Sequence, residues 1–281
     1  VISRGRLDMG FINGVPYESP ASNQNPVGVM DRFWEAHDFI LKAMTSHDEP
    51  FNWEGEYFHY RQVNVWPRPV QQPHPPVWTT TGNKAQARLL GEKGYVMATL
   101  GSGYATRPLY DAYRAGYLAK WKKPAPADRV AYLGLVAVSH DEAEARRRGE
   151  LVAGYLRSSA IVHVPFRNPP GFLTVDDNAR MLRGQSPPRS FTKDGRAINM
   201  HHGSVQDLID AGILFCGTPD QVTQQIIDFT EYCGGMGNLL MMGHAGFLTH
   251  EDTVSNLELF AKHVMPRLKA YKQPVPEATA A

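Results

Sequence analysis

Apolar positions along the chain fall into two alternating rhythms. Largely apolar or β-branched runs occur at residues 7–11, 77–81, 95–100, 130–138 and 239–242, and 77–81, 95–100 and 239–242 are bounded directly by glycine, asparagine or proline. Runs of this length with turn residues at both ends read as strands buried on both faces. Between them, apolar residues recur at helical spacing. Phe33, Trp34, His37, Ile40, Leu41 and Met44 mark one amphipathic helix over 30–44. Further helices are predicted over 84–92, 108–121, 141–159, 205–211, 219–232 and 252–263. Thr218 followed by Pro219 fixes one helix start, because threonine caps well and proline suits the first helical position.

Two stretches break the alternation. Residues 50–75 suggest a hairpin, with arms at 51–58 and 63–66, running into a proline-rich segment; residues 163–203 read as an insertion loop. Both have the character of covers laid over a scaffold. The tail 273–281 is expected to be disordered. Strands separated by helices predict βαβ units and a parallel sheet. The fold class expected is therefore α/β, a (β/α)8 TIM barrel in one domain over 1–272, incomplete because only five of eight strands can be counted. Its two outer strands would lack neighbours, so the chain by itself is expected to aggregate or associate.

Composition narrows the function more than the fold. Formal net charge is +1, hydrophobic residues make up 42% and charged residues 20%, so nothing calls for nucleic acid or an anionic membrane as partner. Only two cysteines, Cys216 and Cys233, are present. They are too few for a disulfide framework and lack zinc-site spacing, which makes a reducing, cytoplasmic setting the expectation. No metal is expected.

In such a barrel the chemistry sits where strands end and helices begin. Thr79-Thr80-Thr81-Gly82-Asn83 ahead of a helix places hydroxyls, an amide and a small residue at a helix N-terminus. It reads either as an anion site suited to a phosphate monoester or as a polar loop whose Asn83 caps the helix. Arg32, in the first turn of its helix, is disfavoured there by the helix dipole. It is either a surface partner of Glu35 or Glu18, or a contact for a bound phosphate. Gly101-Ser102-Gly103-Tyr104 imitates half a dinucleotide fingerprint but lacks its third glycine and its acidic residue, so no NAD(P)H site is predicted. His201, His202 and His244 read as polar loop residues. The aromatic set Trp53, Tyr57, Phe58, Tyr60 and Trp66 reads as packing, with substrate contact the alternative.

Several segments resemble the bacterial-luciferase-like flavin-dependent oxidoreductases. They are Ser3-Arg4-Gly5-Arg6-Leu7-Asp8-Met9-Gly10-Phe11, the helix carrying Arg32, the run from Trp66-Pro67-Arg68-Pro69 to Pro76-Val77-Trp78, and Ser255-Asn256-Leu257-Glu258-Leu259-Phe260 with Val264-Met265-Pro266. The likeness covers nearly the whole chain, with 163–203 unclear. It implies that this is the C-terminal portion of a barrel, preceded in the family by about a hundred residues, which is what three βα units occupy. It also implies FMN, or in some relatives the deazaflavin F420, at the barrel mouth. By position Arg32 corresponds to a phosphate-binding arginine, and Thr81, Gly82, Asn83 and Gln86 fall at the family's phosphate loop. Asn13 stands where many members have arginine, and Ile12 where some have a reactive cysteine. Tyr17 lies near a family active-site tyrosine. The function implied is a monooxygenase that uses reduced FMN and O2 to oxygenate a small, largely apolar organic substrate. A separate flavin reductase would supply the cofactor, and the intact protein would be a homodimer. Hydride transfer with F420 and a non-catalytic flavin-binding subunit are the alternatives.

Overall fold

A computed structural model describes residues 1–159, 162, 168–185 and 189–273. In chain order the first elements are β1 (Met9–Phe11), α1 (Glu18–Ala21), α2 (Val29–Thr45), β2 (Phe51–Glu54), β3 (His59–Val63), β4 (Val77–Thr80), α3 (Lys84–Lys93) and β5 (Val96–Leu100). Next come α4 (Arg107–Trp121), β6 (Val130–Val138), α5 (Glu142–Ser159), α6 (Val175–Leu182), β7 (Ser190–Phe191) and β8 (Ala197–Ile198). The last are α7 (Val205–Asp210), β9 (Leu214–Gly217), α8 (Pro219–Tyr232), β10 (Asn238–Met242), α9 (His250–Leu259) and α10 (Met265–Ala270), with a π-helical turn, Phe260–Val264, joining α9 to α10. The five strands read from the apolar runs are all present, as β1, β4, β5, β6 and β10. They pair in parallel and form no closed barrel among the described residues, as an incomplete (β/α)8 barrel would.

The chain divides into two compact units, one from residues 1–79 with 162–186 and the other from 80–161 with 187–281. In the first, β1 lies parallel to β4 with Met9 opposite Val77 and Phe11 opposite Thr79. β2 and β3 form an antiparallel hairpin. Its second arm is His59–Val63 where the sequence suggests 63–66, because Glu35 on α2 accepts hydrogen bonds from the backbone N–H groups of Glu56, Tyr57 and Phe58 and from the Trp53 indole. Four donors on one carboxylate set the turn earlier than hydrophobicity alone suggests. Leu7 lies outside β1 and is 55% exposed; its carbonyl accepts from the Gln71 amide at 2.6 Å instead of a neighbouring strand.

In the second unit β6 is the central strand. It pairs with β5 along Val130–Leu133, with β10 along Ala131–Leu135, and with β9 along Leu135–Val138. Strand β9 follows directly on the helical stretch read over 205–211 and was not legible as a strand, since it is four residues long and closes on the Gly217 turn. Leu135, Ala137, Leu214 and Cys216 pack on Val152, Leu156 and Leu208 of α5 and α7. On the opposite face Tyr132 and Phe215 meet Phe229 of α8, with ring centroids 4.4 and 5.7 Å from it. Helices α3 and α4 cross closely because Gly91 lies against the Tyr113 carbonyl and Gly116 against the Arg88 carbonyl, where any side chain would collide.

The insertion expected to be aperiodic carries local order in its described residues. Thr174 caps α6 through the Asp177 N–H, and Ser190–Phe191 pairs antiparallel with Ala197–Ile198. Residues 163–167 and 186–188 lie outside the described residues, as does the tail from 274. Gln273 itself is tied to Met236, donating to its carbonyl at 2.6 Å and accepting from its N–H at 2.8 Å.

Candidate functional site

Residues just past the C-terminal end of a parallel strand share its exposed end, and here they divide between the two units. In the second unit, the turn after β4 holds Thr81, Gly82 and Asn83 ahead of α3. Asn83 caps the helix: its side-chain oxygen accepts from the N–H groups of Ala85 at 2.8 Å and Gln86 at 3.2 Å. Its own N–H donates to the Thr81 hydroxyl at 3.0 Å, and that hydroxyl donates to the Gln86 side-chain oxygen at 2.9 Å. The turn thus brings Thr81, Gly82, Asn83 and Gln86 together. The capping role of Asn83 is real and does not exhaust the site. The side-chain NH2 groups of Asn83 and Gln86 remain as donors, and the Lys84 N–H has no acceptor among the described residues. Nothing lies within 4 Å of the position a side chain would take at Gly82, so a tetrahedral anion has room beside the turn. A phosphate monoester fits this donor set.

In the first unit, Asn13 follows β1 and donates to the Met30 sulfur at 3.1 Å, on the first turn of α2 that also carries Arg32. Arg32 does not pair with Glu35, which is occupied by the hairpin. One guanidinium nitrogen donates to the Asn25 carbonyl at 2.8 Å, and among the described residues the other guanidinium N–H donors are left for other partners. Tyr17 stands at the N-terminal end of α1 with no capping hydrogen bond from its side chain. The role of Glu35 in the hairpin has no local cue, because its partners lie some twenty residues away. Its pKa is lowered: desolvation alone would raise it, and the hydrogen bonds from Trp53, Tyr57, Phe58 and Glu56 together outweigh that.

The Gly101-Ser102-Gly103 stretch is packed inward. Gly103 lies against the Ala211 carbonyl, and its N–H donates to the Tyr132 hydroxyl at 3.1 Å. No dinucleotide could reach that backbone. The aromatic set of the hairpin packs on α2, with Phe39 stacked on Tyr60 at 4.8 Å and edge-on to Trp53 at 5.5 Å. His201 bonds the Leu156 carbonyl through Nδ1 at 2.8 Å. Among the described residues no group of three or more His, Cys, Asp or Glu could hold a metal ion. Burial pushes the thiols of Cys216 and Cys233 up to about 11 and about 12, so neither is an available thiolate. An open cleft of about 560 Å³ runs along α9, lined by His140, Val254, Glu258, Leu259, Lys262 and His263 among others. No helix among the described residues is long and apolar enough to cross a membrane.

Comparison with known proteins agrees with this architecture. By structure, the chain is similar to the monooxygenase RslO1 from Streptomyces bottropensis, with a TM-score of 0.71 and 21% identity over 95% of this chain and 70% of that one. It is also similar to the oxygenating constituent of 3,6-diketocamphane monooxygenase from the CAM plasmid of Pseudomonas putida, solved with FMN, with a TM-score of 0.67 and 21% identity over 98% and 73% of the two chains. An F420-dependent secondary alcohol dehydrogenase follows with a TM-score of 0.63 and 16% identity over 93% and 69%. At these identities the likeness is one of fold. By sequence, the chain is 28% identical over 140 residues to the protein y4wF of Sinorhizobium fredii, a match covering 50% of this chain and 40% of that protein. The family model for luciferase-like monooxygenases matches residues 1–234, a span that takes in both turns described above, and the chain belongs to that family.

Proposed function

We propose that the protein is the oxygenating component of a two-component flavin monooxygenase. It uses reduced FMN and O2 to oxygenate a small, largely apolar organic substrate, with the reduced flavin delivered by a separate reductase. The observation that carries this reading is the turn Thr81-Gly82-Asn83, with unspent donors and open space at Gly82, inside the stretch matched by the family model. Asn83, Gln86 and the Lys84 N–H would meet the phosphate of FMN; Arg32, considered by itself, is a separate candidate for a phosphate contact. Bound reduced flavin supplies the electrons for oxygen chemistry; the protein supplies position and exclusion of water. Delivery by a partner enzyme is in keeping with the inward packing of Gly103, which rules out the Gly101–Gly103 stretch as a cradle for a pyridine dinucleotide. The FMN in the fold relative from Pseudomonas putida supports the choice of cofactor. The fold likeness to an F420-dependent dehydrogenase favours a second reading, hydride transfer with F420.

The test is a fluorescence titration of the protein with FMN, riboflavin and F420, repeated on Gly82→Val, which fills the open space without disturbing the Asn83 cap. The expected result is FMN bound at least about tenfold tighter than riboflavin, as one or two charge-assisted hydrogen bonds provide. That preference should vanish in Gly82→Val while its melting temperature is unchanged. Equal affinity for FMN and riboflavin in the unsubstituted protein would remove the phosphate site, and preferential binding of F420 would replace monooxygenation with hydride transfer.

A further inference from the structure

The insertion and the hairpin touch the same four-residue loop, Asn25 to Gly28, from two directions. From the insertion, Gly171 adopts a left-handed backbone (φ +90°), and a Cβ placed there would lie 2.5 Å from Val27 Cγ2. From the hairpin, the Tyr57 hydroxyl lies 2.5 Å from the Cβ position of Gly28, which is itself left-handed (φ +69°). The loop is closed internally by Val27 N–H donating to the Asn25 side chain at 3.0 Å, and its Asn25 carbonyl holds the Arg32 guanidinium at 2.8 Å. Both bracing elements are themselves fixed. Tyr57 is held by its N–H on Glu35 at 2.9 Å, and the segment around Gly171 is held by Asn178, whose side chain bridges Asn168 and the Leu173 carbonyl.

A long arginine side chain loses considerable rotamer freedom when it is fixed, so whatever fixes it beforehand strengthens its contact with a ligand. Accordingly, we infer that Gly171 is a positioning residue: by closing on Val27 it sets the Asn25–Gly28 loop, and through the Asn25 carbonyl it pre-orients Arg32 for the anionic group of the ligand. The insertion is then more than a cover, because it tunes affinity for an anion that it does not touch. The inference rests on the proposed reading that Arg32 meets the FMN phosphate. Val27 is the other half of the contact. It is β-branched, which restricts its χ1, and a methyl at 171 would have to displace it.

The experiment measures dissociation constants for FMN and riboflavin and takes their ratio, which isolates the phosphate from the rest of the flavin. In Gly171→Ala the new methyl displaces Val27, and the ratio is expected to fall about tenfold towards that of Arg32→Ala, with riboflavin affinity unchanged. In the double variant Gly171→Ala with Val27→Ala the obstructing Cγ2 is gone while the left-handed backbone at 171 remains, and the ratio is expected to rise only to the level of Val27→Ala alone. Val27→Ala alone, which leaves the backbone unstrained, should lower the ratio by a smaller factor and covers the case in which Gly171→Ala fails to fold. If the unsubstituted protein discriminates FMN from riboflavin but neither Gly171→Ala nor Val27→Ala changes the ratio, the positioning role is refuted while the phosphate site stands. If the ratio falls in Gly171→Ala and the double variant does not rise to the level of Val27→Ala alone, the effect is general distortion and the inference also fails. If the unsubstituted protein shows no discrimination at all, the reading beneath it falls first.

Discussion

Asn256 on α9 is fully buried, and its side chain substitutes for a neighbouring strand at the end of β6. Its oxygen accepts from the Val138 N–H at 2.6 Å, and its NH2 donates to the carbonyls of Val136 and Gly243, both at 2.9 Å. Beyond Leu135 the β6–β10 ladder has ended, so these three backbone groups have no other sheet partner on that side. Replacing Asn256 with leucine, which has similar bulk, leaves all three unsatisfied in a dry interior. A buried donor left unpaired costs about 1–3 kcal/mol, and carbonyls tolerate partial satisfaction better, so the three together cost about 3–5 kcal/mol. For a chain of this size that lowers the melting temperature by about 6–20 °C. Urea unfolding should show the same loss, with hydrogen exchange accelerated first at the Val138 amide. Asn256→Asp adds a signature: the carboxylate keeps the bond from Val138 but faces two carbonyls without a proton. Its deficit should therefore shrink on acidification, as a protonated carboxyl regains one donor. A leucine variant within 1 kcal/mol of the unsubstituted protein, or exchange at Val138 unchanged, would refute the strand-substitute argument.

Three further outcomes follow from the same structure. Tyr132→Phe removes both the acceptor of the Gly103 N–H and the donor to the Gly212 carbonyl, and should cost about 1–3 kcal/mol in urea unfolding; no measurable loss would mean that water replaces the hydroxyl. The depressed pKa of Glu35 means that its contribution is complete above the carboxylate's unfolded value and is lost as pH falls through the folded one. Trp53 fluorescence should therefore report loosening of the hairpin under acid, and Glu35→Gln should loosen it at neutral pH, whereas an acid-insensitive signal counts against this. Hydrogen bonds from Arg147, and then from Arg148, hold Glu144 down to about 2. Stability should accordingly fall between about pH 4.5 and 2 and do so less steeply in Glu144→Gln, and identical acid profiles for the two proteins would contradict this.

The residues themselves carried most of the local structure because its causes are local. The apolar run Val130–Val138 reads as a strand buried on both faces, and it is a largely buried strand. Thr218 with Pro219 and Gln221 starts α8 by a capping box that lies within four residues, and Asn83 caps α3 with its side-chain oxygen on the next turn's N–H groups. The candidate turn at Gly82 was legible for that reason. Other features depend on atoms far apart in the chain. Glu35 meets the hairpin twenty-one to twenty-three residues later, Asn256 closes β6 across about 120 residues, and Gly171 reaches Val27 across about 140. Strand β9 was missed because four residues without alternation carry no periodic cue, and it exists as a strand only because the edge of β6 at Leu135–Val138 is there to receive it. Local pattern and capping follow from neighbours along the chain; which carboxylate takes which N–H, and which glycine must stay bare, are decided when distant segments compete for the same buried donors and the same space.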